Sequence, residues 1–429
     1  MRRRRGEGLQ GTGGPPGGGR RRWARGWAAR RWVALATVPL VAGLAWGFAA
    51  WPRPPAPDPI LITQAGWAGP DASPTGAPSE DEVAWLGSGT VPGAGTRWED
   101  MTSAALLDLH RLTEPNGAVR AGAADRWSYA WPRDSAFAAV ALARAGHRED
   151  ALRILRFLSR LSFDRQVGFE ARYHLSGVGT PDDREAQSDG AGWALWALGA
   201  VEMQPGPVGL DPELRELLDR CTDLVLRLTD DGAVLPPPSP DYWEVPVGAT
   251  SLGTAAPLLA GLRSSARVYA ALGEPLASMR AGAAATRLEA RVRAGFAPDF
   301  ERFGRRGGLD AAVTMLMPPF SPETPAVVAA WEAYQRQARR PAGGLAPGVA
   351  WKRDGVSWSP ETALVALTAA ASGRDHTAER WLDWLDAHRT TWGSLPEKVT
   401  ASGRPAGPAP LAWTAALVVL TVEELDAQD

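Results

Sequence analysis

Cysteine and histidine are scarce in this sequence, and their scarcity excludes several kinds of protein. One cysteine, Cys221, stands among 429 residues, so no disulfide can form within the chain. Cys221 lies among apolar residues at helical spacing, which predicts that its side chain is buried and packs in the core. The five histidines lack the spacing of metal ligands, so the sequence carries no zinc signature. No G-x-S-x-G motif is present to support a serine hydrolase.

Lysine is also nearly absent, because Lys352 and Lys398 are the two examples and arginine carries almost all of the positive charge. That charge is distributed unevenly. Residues 1–31 contain ten arginines and one acid, Glu7, which leaves 36 basic against 47 acidic side chains in the rest of the chain. A body with this acidic excess argues against a nucleic-acid groove, which requires clustered basic side chains.

The first eighty residues do not show the pattern of a packed domain. Residues 1–32 are rich in arginine and glycine, which is typical of a disordered tail. Residues 33–51 form an uncharged run of nineteen that would extend ~28 Å as a helix, close to the thickness of a bilayer core. We therefore predict a transmembrane signal-anchor at 33–51, followed by a linker at 52–80 that is rich in proline and glycine.

The orientation of this segment follows from its flanks. Arg30 and Arg31 precede the apolar run, so the positive-inside rule predicts a cytoplasmic tail and an extracytoplasmic body anchored to the membrane. The alternative is a cleaved signal peptide and a secreted body, because the small residues Gly47 and Ala49 could allow cleavage.

In the body, residues 81–429, apolar residues recur at helical spacing in segments that are separated by breaks rich in glycine and proline. Alternating patterns typical of strands are few. Eleven helices are predicted, and a twelfth near Met101 or Asp310 is possible. So many helices with long loops and no fixed repeat predict an all-α barrel, with the functional site on its loops. The predicted helices are Ala104–Leu112, Ser135–Ala145, Ala151–Leu161, Gly190–Val201, Glu213–Leu228, Leu252–Leu272, Ala277–Phe296, Pro325–Gln337, Pro360–Ala371, Ala378–Arg389 and Leu411–Leu425.

Two glutamates stand in loop contexts beside aromatic residues. Glu244 follows Trp243 and precedes Val245-Pro246, and a residue before proline is driven towards extended geometry. Glu397 follows a proline and a Gly-Ser break. Two such carboxyl groups suit cleavage of a glycosidic bond, since one can protonate the leaving oxygen while the other activates water. Tryptophan offers a flat surface for a sugar ring.

Five segments in this order resemble the glucoamylase-like inverting glycoside hydrolases, family 15, over roughly residues 100–427. The resemblance implies an (α/α)6 toroid, a six-hairpin barrel. It also implies hydrolysis of an α-glucoside or α-glucan from its non-reducing end, without metal or organic cofactor. The segments are Tyr129–Phe137, Gln187–Gly190, Asp241–Glu244, Leu395–Lys398 and Leu411–Ala416.

Roles for individual residues also follow from the resemblance. Glu244 would be the general acid and Glu397 the general base. Arg133 and Asp134 would bind the hydroxyl groups of the terminal sugar, and Trp243 would wall the pocket. Further substrate-binding residues are expected in the same segments and at a helix start: Tyr129, Trp131, Gln187, Asp189 and Trp358.

Other interpretations of these residues remain open. Asp134 could instead cap a helix that begins at Ser135, Arg133 could be a surface charge, and both glutamates could be solvated loop acids. Lys398 stands where relatives commonly have glutamine, and the chain between the two glutamates is short for the family. A carbohydrate-binding or scaffold protein that has lost catalysis is therefore the alternative to a hydrolase.

The hydrolase hypothesis makes geometric predictions. Glu244 and Glu397 should face one pocket floored by Arg133 and Asp134, with carboxyl groups ~6.5–9.5 Å apart for inversion. Glu244 should be the better shielded of the two, packed against Trp243, because desolvation keeps an acid protonated.

Overall fold

The computed structural model describes residues 78–123, 126–202 and 210–428. The predicted tail, the predicted anchor at 33–51 and all but the last residues of the predicted linker lie outside these ranges. Within them, no helix combines the length and the apolar character that crossing a bilayer requires. The membrane anchor and its orientation therefore stay predictions.

Within the described residues the chain forms twelve α-helices and one 3₁₀ helix, Ala311–Leu316, and all eleven predicted helices are present. The 3₁₀ helix accounts for the segment suspected near Asp310. The helices are α1 Glu80–Gly87, α2 Glu99–Leu112, α3 Pro132–Arg144, α4 Arg148–Arg160, α5 Asp189–Glu202, α6 Pro212–Leu228, α7 Leu252–Ala271, α8 Pro275–Phe296, α9 Pro325–Gln337, α10 Ser359–Ala370, α11 Asp375–Ala387 and α12 Ala412–Asp426.

Proline and side-chain caps fix where several helices begin. Pro132 occupies the first turn of α3, where its missing N–H costs no hydrogen bond. Asp211, Ser251 and Thr324 precede α6, α7 and α9, and each side chain accepts a hydrogen bond from a backbone N–H in the first turn.

The helices form two concentric rings. α3, α5, α7, α10 and α12 are buried on nearly all sides, whereas α4 and α6 bury one apolar face and expose arginines and acids on the other. Each inner helix contacts the next, the 3₁₀ helix stands between α7 and α10, and α12 closes the ring on α3. After α1, six outer elements alternate along the described chain with six inner ones, so the predicted (α/α)6 fold is confirmed.

Small residues allow the inner helices to pack closely. A Cβ atom at Gly192 in α5 would lie 2.3 Å from the carbonyl oxygen of Pro257 in α7, so only glycine fits there. Cys221 is fully buried, as predicted, within the core that α6 helps to form.

Two small sheets are built from strands of two residues each. Strands β1 Phe163–Asp164 and β2 Gly168–Phe169 form one antiparallel pair. Strands β3 Ser357–Trp358, β4 Lys398–Val399 and β5 Pro405–Ala406 form the other, in the order β3-β4-β5. Trp358 pairs with Lys398, so the second sheet joins the start of α10 to the loop that carries Glu397.

Candidate active site

A cavity of about 360 Å³ opens at the end of the barrel where α3, α10 and α12 begin. Helix N-termini favour negative charge, so three of them around one cavity suit a site that contains carboxylates. Six tryptophans line it: Trp127, Trp131, Trp243, Trp351, Trp358 and Trp413. Its charged residues are Asp134, Glu244, Glu361 and Glu397 with Arg126, Arg133, Arg172, Arg184, Lys352 and Lys398.

The cavity brings together residues that are far apart in sequence. Glu244 and Glu397 both line it, and Arg133 and Asp134 contribute its buried part. The predicted aromatic residues Trp131, Trp243 and Trp358 also line it. Both glutamates therefore line one cavity with this pair, as the sequence predicts, and the predicted separation of their carboxyl groups stays a prediction.

Three predicted substrate-binding residues, Tyr129, Gln187 and Asp189, do not line this cavity. The ring of Tyr129 lies under the guanidinium of Arg172, 4.7 Å from its centre. Gln187 is buried and donates from Nε2 to the carbonyl oxygen of Asp241 at 3.5 Å.

Asp189 is buried at the start of α5. Burial raises its pKa to about 7, opposed by the nearby charge of Arg133. Tyr129, Gln187 and Asp189 therefore lie outside the lining of this cavity, and substrate binding by these three side chains stays a prediction.

Glu244 lies in the loop between α6 and α7, in a left-handed backbone conformation with φ of 53°. Its backbone N–H donates to the carbonyl oxygen of Asp241 at 2.7 Å. Its carboxylate accepts a hydrogen bond from Trp131 Nε1 at 2.6 Å and pairs with Arg184. The buried Asp241 anchors the turn, because it accepts from Arg302 at 2.7 Å.

Glu397 is held mainly by backbone contacts. Its N–H donates to the carbonyl oxygen of Pro408 at 2.9 Å, and its carbonyl oxygen accepts from the N–H of Ser359 at 3.0 Å. Its carboxylate accepts from Trp127 Nε1 at 3.3 Å and lies 2.7 Å from Lys398 Nζ. Lys398 in turn lies 4.4 Å from the centre of the Trp358 ring.

The prediction about shielding is wrong. The side chain of Glu244 is 21% exposed and that of Glu397 is 12% exposed. Glu244 stands on a loop whose next two residues are exposed, so it lies nearer the solvent. Trp243 packs on the guanidinium of Arg302, 3.6 Å from its ring centre, and edge-on against Trp351.

Arg133 and Asp134 form a buried ion pair, with 3.0 Å between Nη2 and Oδ2. Arg133 also lies over Trp413, 4.4 Å from the ring centre, and its Nε and Nη1 find no acceptor among the described residues. Burial opposes its charge, but neighbouring carboxylates, Asp134 above all, raise its pKa.

The two non-functional interpretations of this pair, Asp134 as a helix cap and Arg133 as a surface charge, are both wrong. α3 begins at Pro132 and shows no side-chain cap, so Asp134 lies inside the first turn and is not its cap. Burial raises the pKa of Asp134, and the charge of Arg133 opposes this rise. Arg133 is buried, so it is not a surface charge.

Several lining residues were not predicted as site residues. Glu361 follows Ser359-Pro360 in the first turn of α10, a position where acids are common, so its sequence context gave no functional signal. It is buried, and burial raises its pKa to about 8, with the charge of Glu397 adding to the rise. The other unpredicted charged and tryptophan residues are Arg126, Trp127, Arg172, Arg184, Trp351, Lys352, Lys398 and Trp413.

Comparison with known proteins identifies the fold. No family model matches the sequence, and no curated protein matches it. A glycosidase variant in complex with glucose is 21% identical with a TM-score of 0.67, covering 82% of this chain and 99% of that one.

Two glucoamylases give similar results. A bacterial glucoamylase complexed with acarbose is 15% identical with a TM-score of 0.66, covering 81% of this chain and 58% of that one. Glucoamylase from Saccharomycopsis fibuligera is 13% identical with a TM-score of 0.62, covering 85% and 99%. The chain therefore has the glucoamylase-like six-hairpin fold.

Proposed function

We propose that this protein is an inverting exo-acting glycoside hydrolase that releases the terminal sugar of an α-glucoside or α-glucan. One observation carries the proposal. Two glutamates 153 positions apart, Glu244 and Glu397, meet in one cavity with a buried Arg133–Asp134 pair and tryptophan walls. Paired carboxyl groups beside flat aromatic surfaces fit glycosidic bond cleavage.

The buried end of the cavity suits the sugar at the non-reducing end. The Nε and Nη1 groups of Arg133 have no protein acceptor among the described residues and are shielded from solvent, so they would donate to two sugar oxygens after a small shift of the side chain. Asp134 can accept from a neighbouring hydroxyl group. Trp413 lies beneath the planar guanidinium of Arg133, in a cation–π contact that shields one of its faces from water.

The two glutamates divide the chemistry between them. Glu244 protonates the leaving oxygen, and Glu397 accepts a proton from the water that attacks the anomeric carbon on the opposite face. Both tasks need only carboxyl groups, so no cofactor is required. Inversion requires ~6.5–9.5 Å between the carboxyl groups.

The contacts of Glu244 add one condition to this mechanism. A general acid must carry a proton, whereas Arg184 pairs with the Glu244 carboxylate in the structure. We expect Arg184 to leave Glu244 when substrate binds. Arg184 is 39% exposed on the loop that precedes α5, so this movement would disturb no core packing.

The structural relatives support sugar binding in this fold. One solved structure is described as a glycosidase with glucose and another as a bacterial glucoamylase with acarbose. The second candidate is a carbohydrate-binding protein without catalysis, and the Arg184–Glu244 ion pair is the observation that favours it.

A sugar-release assay separates the two candidates. The whole chain is incubated with maltose, isomaltose, trehalose and soluble starch, and the first anomer released is identified by NMR. Release of β-glucose, abolished in Glu244→Gln and Glu397→Gln variants, is expected for the inverting hydrolase. Binding without release would establish the carbohydrate-binding protein, and α-glucose as the first product from soluble starch would overturn inversion. Trehalose tests release alone, because its inverting hydrolysis frees one α- and one β-glucose.

A further inference from the structure

The charges of the cavity are arranged by depth. Among its lining acids, Asp134, Glu361 and Glu397 are buried. Arg126 and Lys352 are exposed, Arg184 is 39% exposed and Lys398 is 21% exposed. The outer part of the cavity therefore presents four cationic side chains, with Glu244 as the one lining carboxylate at comparable depth.

Two of these cations have no counter-ion in the described part of the chain. Arg184 pairs with Glu244, and Lys398 pairs with Glu397. Arg126 and Lys352 pair with no described carboxylate, and Lys352 Nζ lies 5.4 Å from the centre of the Trp351 ring. Such charges at the mouth of a cleft raise the local concentration of anions.

This basic mouth is not a reflection of overall charge. Beyond residue 31 the chain has 36 basic and 47 acidic side chains, so an average surface patch would be acidic. Trp351 lies beside Lys352, and its apolar ring would partly shield an anion bound there from water, which strengthens an ionic contact.

We propose that the natural substrate is an α-glucoside whose leaving group carries an acidic group, a carboxylate or a phosphate ester, bound by Arg126 and Lys352. This inference rests on the proposed function. In an exo-acting pocket the terminal sugar fills the buried end and the leaving group faces the mouth. Water is consumed, and the products are glucose and the anionic alcohol.

The acids at the buried end of the cavity exclude the opposite arrangement, in which the terminal sugar carries the acidic group. An anionic terminal sugar would meet the buried Asp134 and Glu397 there, and Arg133 already pairs with Asp134. Like charges at short range in a poorly solvated site are strongly unfavourable. The acidic group of the substrate therefore belongs on the side of the leaving group.

An anionic leaving group would also help Arg184 to leave Glu244, which the proposed acid requires before it can carry a proton. A substrate anion at the mouth competes for Arg184, which pairs with Glu244 and, at 3.2 Å from Nε, with Asp182. Drawing Arg184 away leaves the Glu244 carboxyl without its counter-ion and free to take up the catalytic proton. A neutral leaving group offers Arg184 no such partner.

The test compares matched neutral and anionic substrates. The kcat/KM values of the whole chain are measured for maltose against maltobionate and for isomaltose against isomaltobionate. In each pair the scissile bond stays the same and a ring becomes an open-chain acid. We expect about a tenfold preference for one anionic member at low ionic strength, since two exposed ionic contacts each contribute modestly. The preference should shrink in 0.5 M salt, where the screening length is ~4 Å.

The same ratio is measured in an Arg126→Gln, Lys352→Gln double variant. The matched control is Arg353→Gln, which removes an exposed charge next in sequence to Lys352 but outside the cavity lining. We expect the preference for the anionic member to disappear in the double variant and to persist in the control. A preference that survives the double variant would overturn the assignment to these two residues.

Failure of the inference is distinguishable from failure of the proposed function. Hydrolysis of both neutral and anionic members with equal kcat/KM would overturn the inference and keep the hydrolase. If nothing is hydrolysed, calorimetry on the same pairs decides: tighter binding of an anionic member supports the inference without the hydrolase, and equal or absent binding overturns it.

Discussion

The two loops that carry the glutamates hold them in different ways. Glu397 has backbone hydrogen bonds on both sides, to Pro408 and from Ser359, and Trp127 and Lys398 contact its carboxylate. Glu244 has one backbone hydrogen bond, to Asp241, and Trp131 and the more exposed Arg184 contact its carboxylate. The backbone of the proposed base is therefore tied to two segments, whereas the proposed acid depends more on a contact that an exposed arginine can release.

This contrast agrees with the chemistry each residue would perform. A base must aim one oxygen at a water whose position is set by the sugar, so rigidity helps it. An acid must gain a proton, deliver it and regain it in every turnover, and an ion pair that opens permits this.

Removal of either carboxyl should have the largest effect. Glu244→Gln and Glu397→Gln should each lower kcat on a natural disaccharide by about 10²–10⁴-fold, because each removes a proton-transfer step. α-Glucosyl fluoride separates the two roles, since its leaving group needs no proton. It should restore turnover in Glu244→Gln and not in Glu397→Gln, as measured by fluoride release. Restoration in the opposite variant would exchange the two roles.

Arg133→Ala should have the next largest effect. We expect kcat/KM to fall about 10²-fold, because truncating a buried charged partner costs several kcal/mol and leaves Asp134 unpaired. Arg133→Lys is the control, since it keeps the charge and removes the two-pronged contact. Both variants need a thermal melt beside the kinetics. A wild-type rate in a folded Arg133→Ala protein would show that Arg133 does not bind the substrate.

Glycine substitutions test the rigidity of the two loops directly. Gly407 has φ of 74°, and a Cβ atom there would lie 2.8 Å from Glu397 Oε2. Gly407→Ala should displace the Glu397 carboxyl, lower kcat about tenfold and destabilise the fold by about 1 kcal/mol. Gly248→Ala is the matched control in the Glu244 loop, where a Cβ atom meets nothing within 4 Å. Equal effects of the two substitutions on kcat would contradict the contrast between the loops.

The same contrast explains what the sequence could and could not predict. The inner and outer helices follow from local periodicity, so their positions were accessible from sequence. The loop setting of Glu244 follows from the Val245-Pro246 step after it, and that of Glu397 from the Gly-Ser break and the proline before it. The pairing of Arg184 with Glu244 joins residues 60 positions apart across exposed loops, and no local pattern encodes such a contact.

Burial was the harder property to predict. Glu244 was expected to be the more shielded because it follows Trp243, yet that indole packs on Arg302 instead. The 3₁₀ helix Ala311–Leu316 was only suspected, because six residues are too few for a clear helical period. No local sequence pattern marks Glu361 as a site residue, because its burial depends on the closure of the whole inner ring.

Ionisation of Glu361 should have the smallest effect on activity, and that effect should be confined to alkaline pH. Its carboxyl is buried in the cavity, and Oε2 has no donor or acceptor among the described residues. Burial raises its pKa to about 8, and the charge of Glu397 adds to the rise. The other titratable groups that act on it, from the elements packed around it, are Arg133, Asp310, Tyr242 and Tyr334.

A raised carboxyl pKa means that the neutral acid persists below about pH 8 and is lost as the pH rises through that value. Above it, a new negative charge appears near Glu397 and close to the Arg133 guanidinium. We expect kcat/KM of the wild type to fall severalfold between pH 7 and 9. Glu361→Gln keeps the shape and cannot ionise, so it should retain near wild-type activity at pH 7 and lose the part of the alkaline decline due to this group. An unchanged alkaline limb in Glu361→Gln would assign that decline to another residue of the cavity.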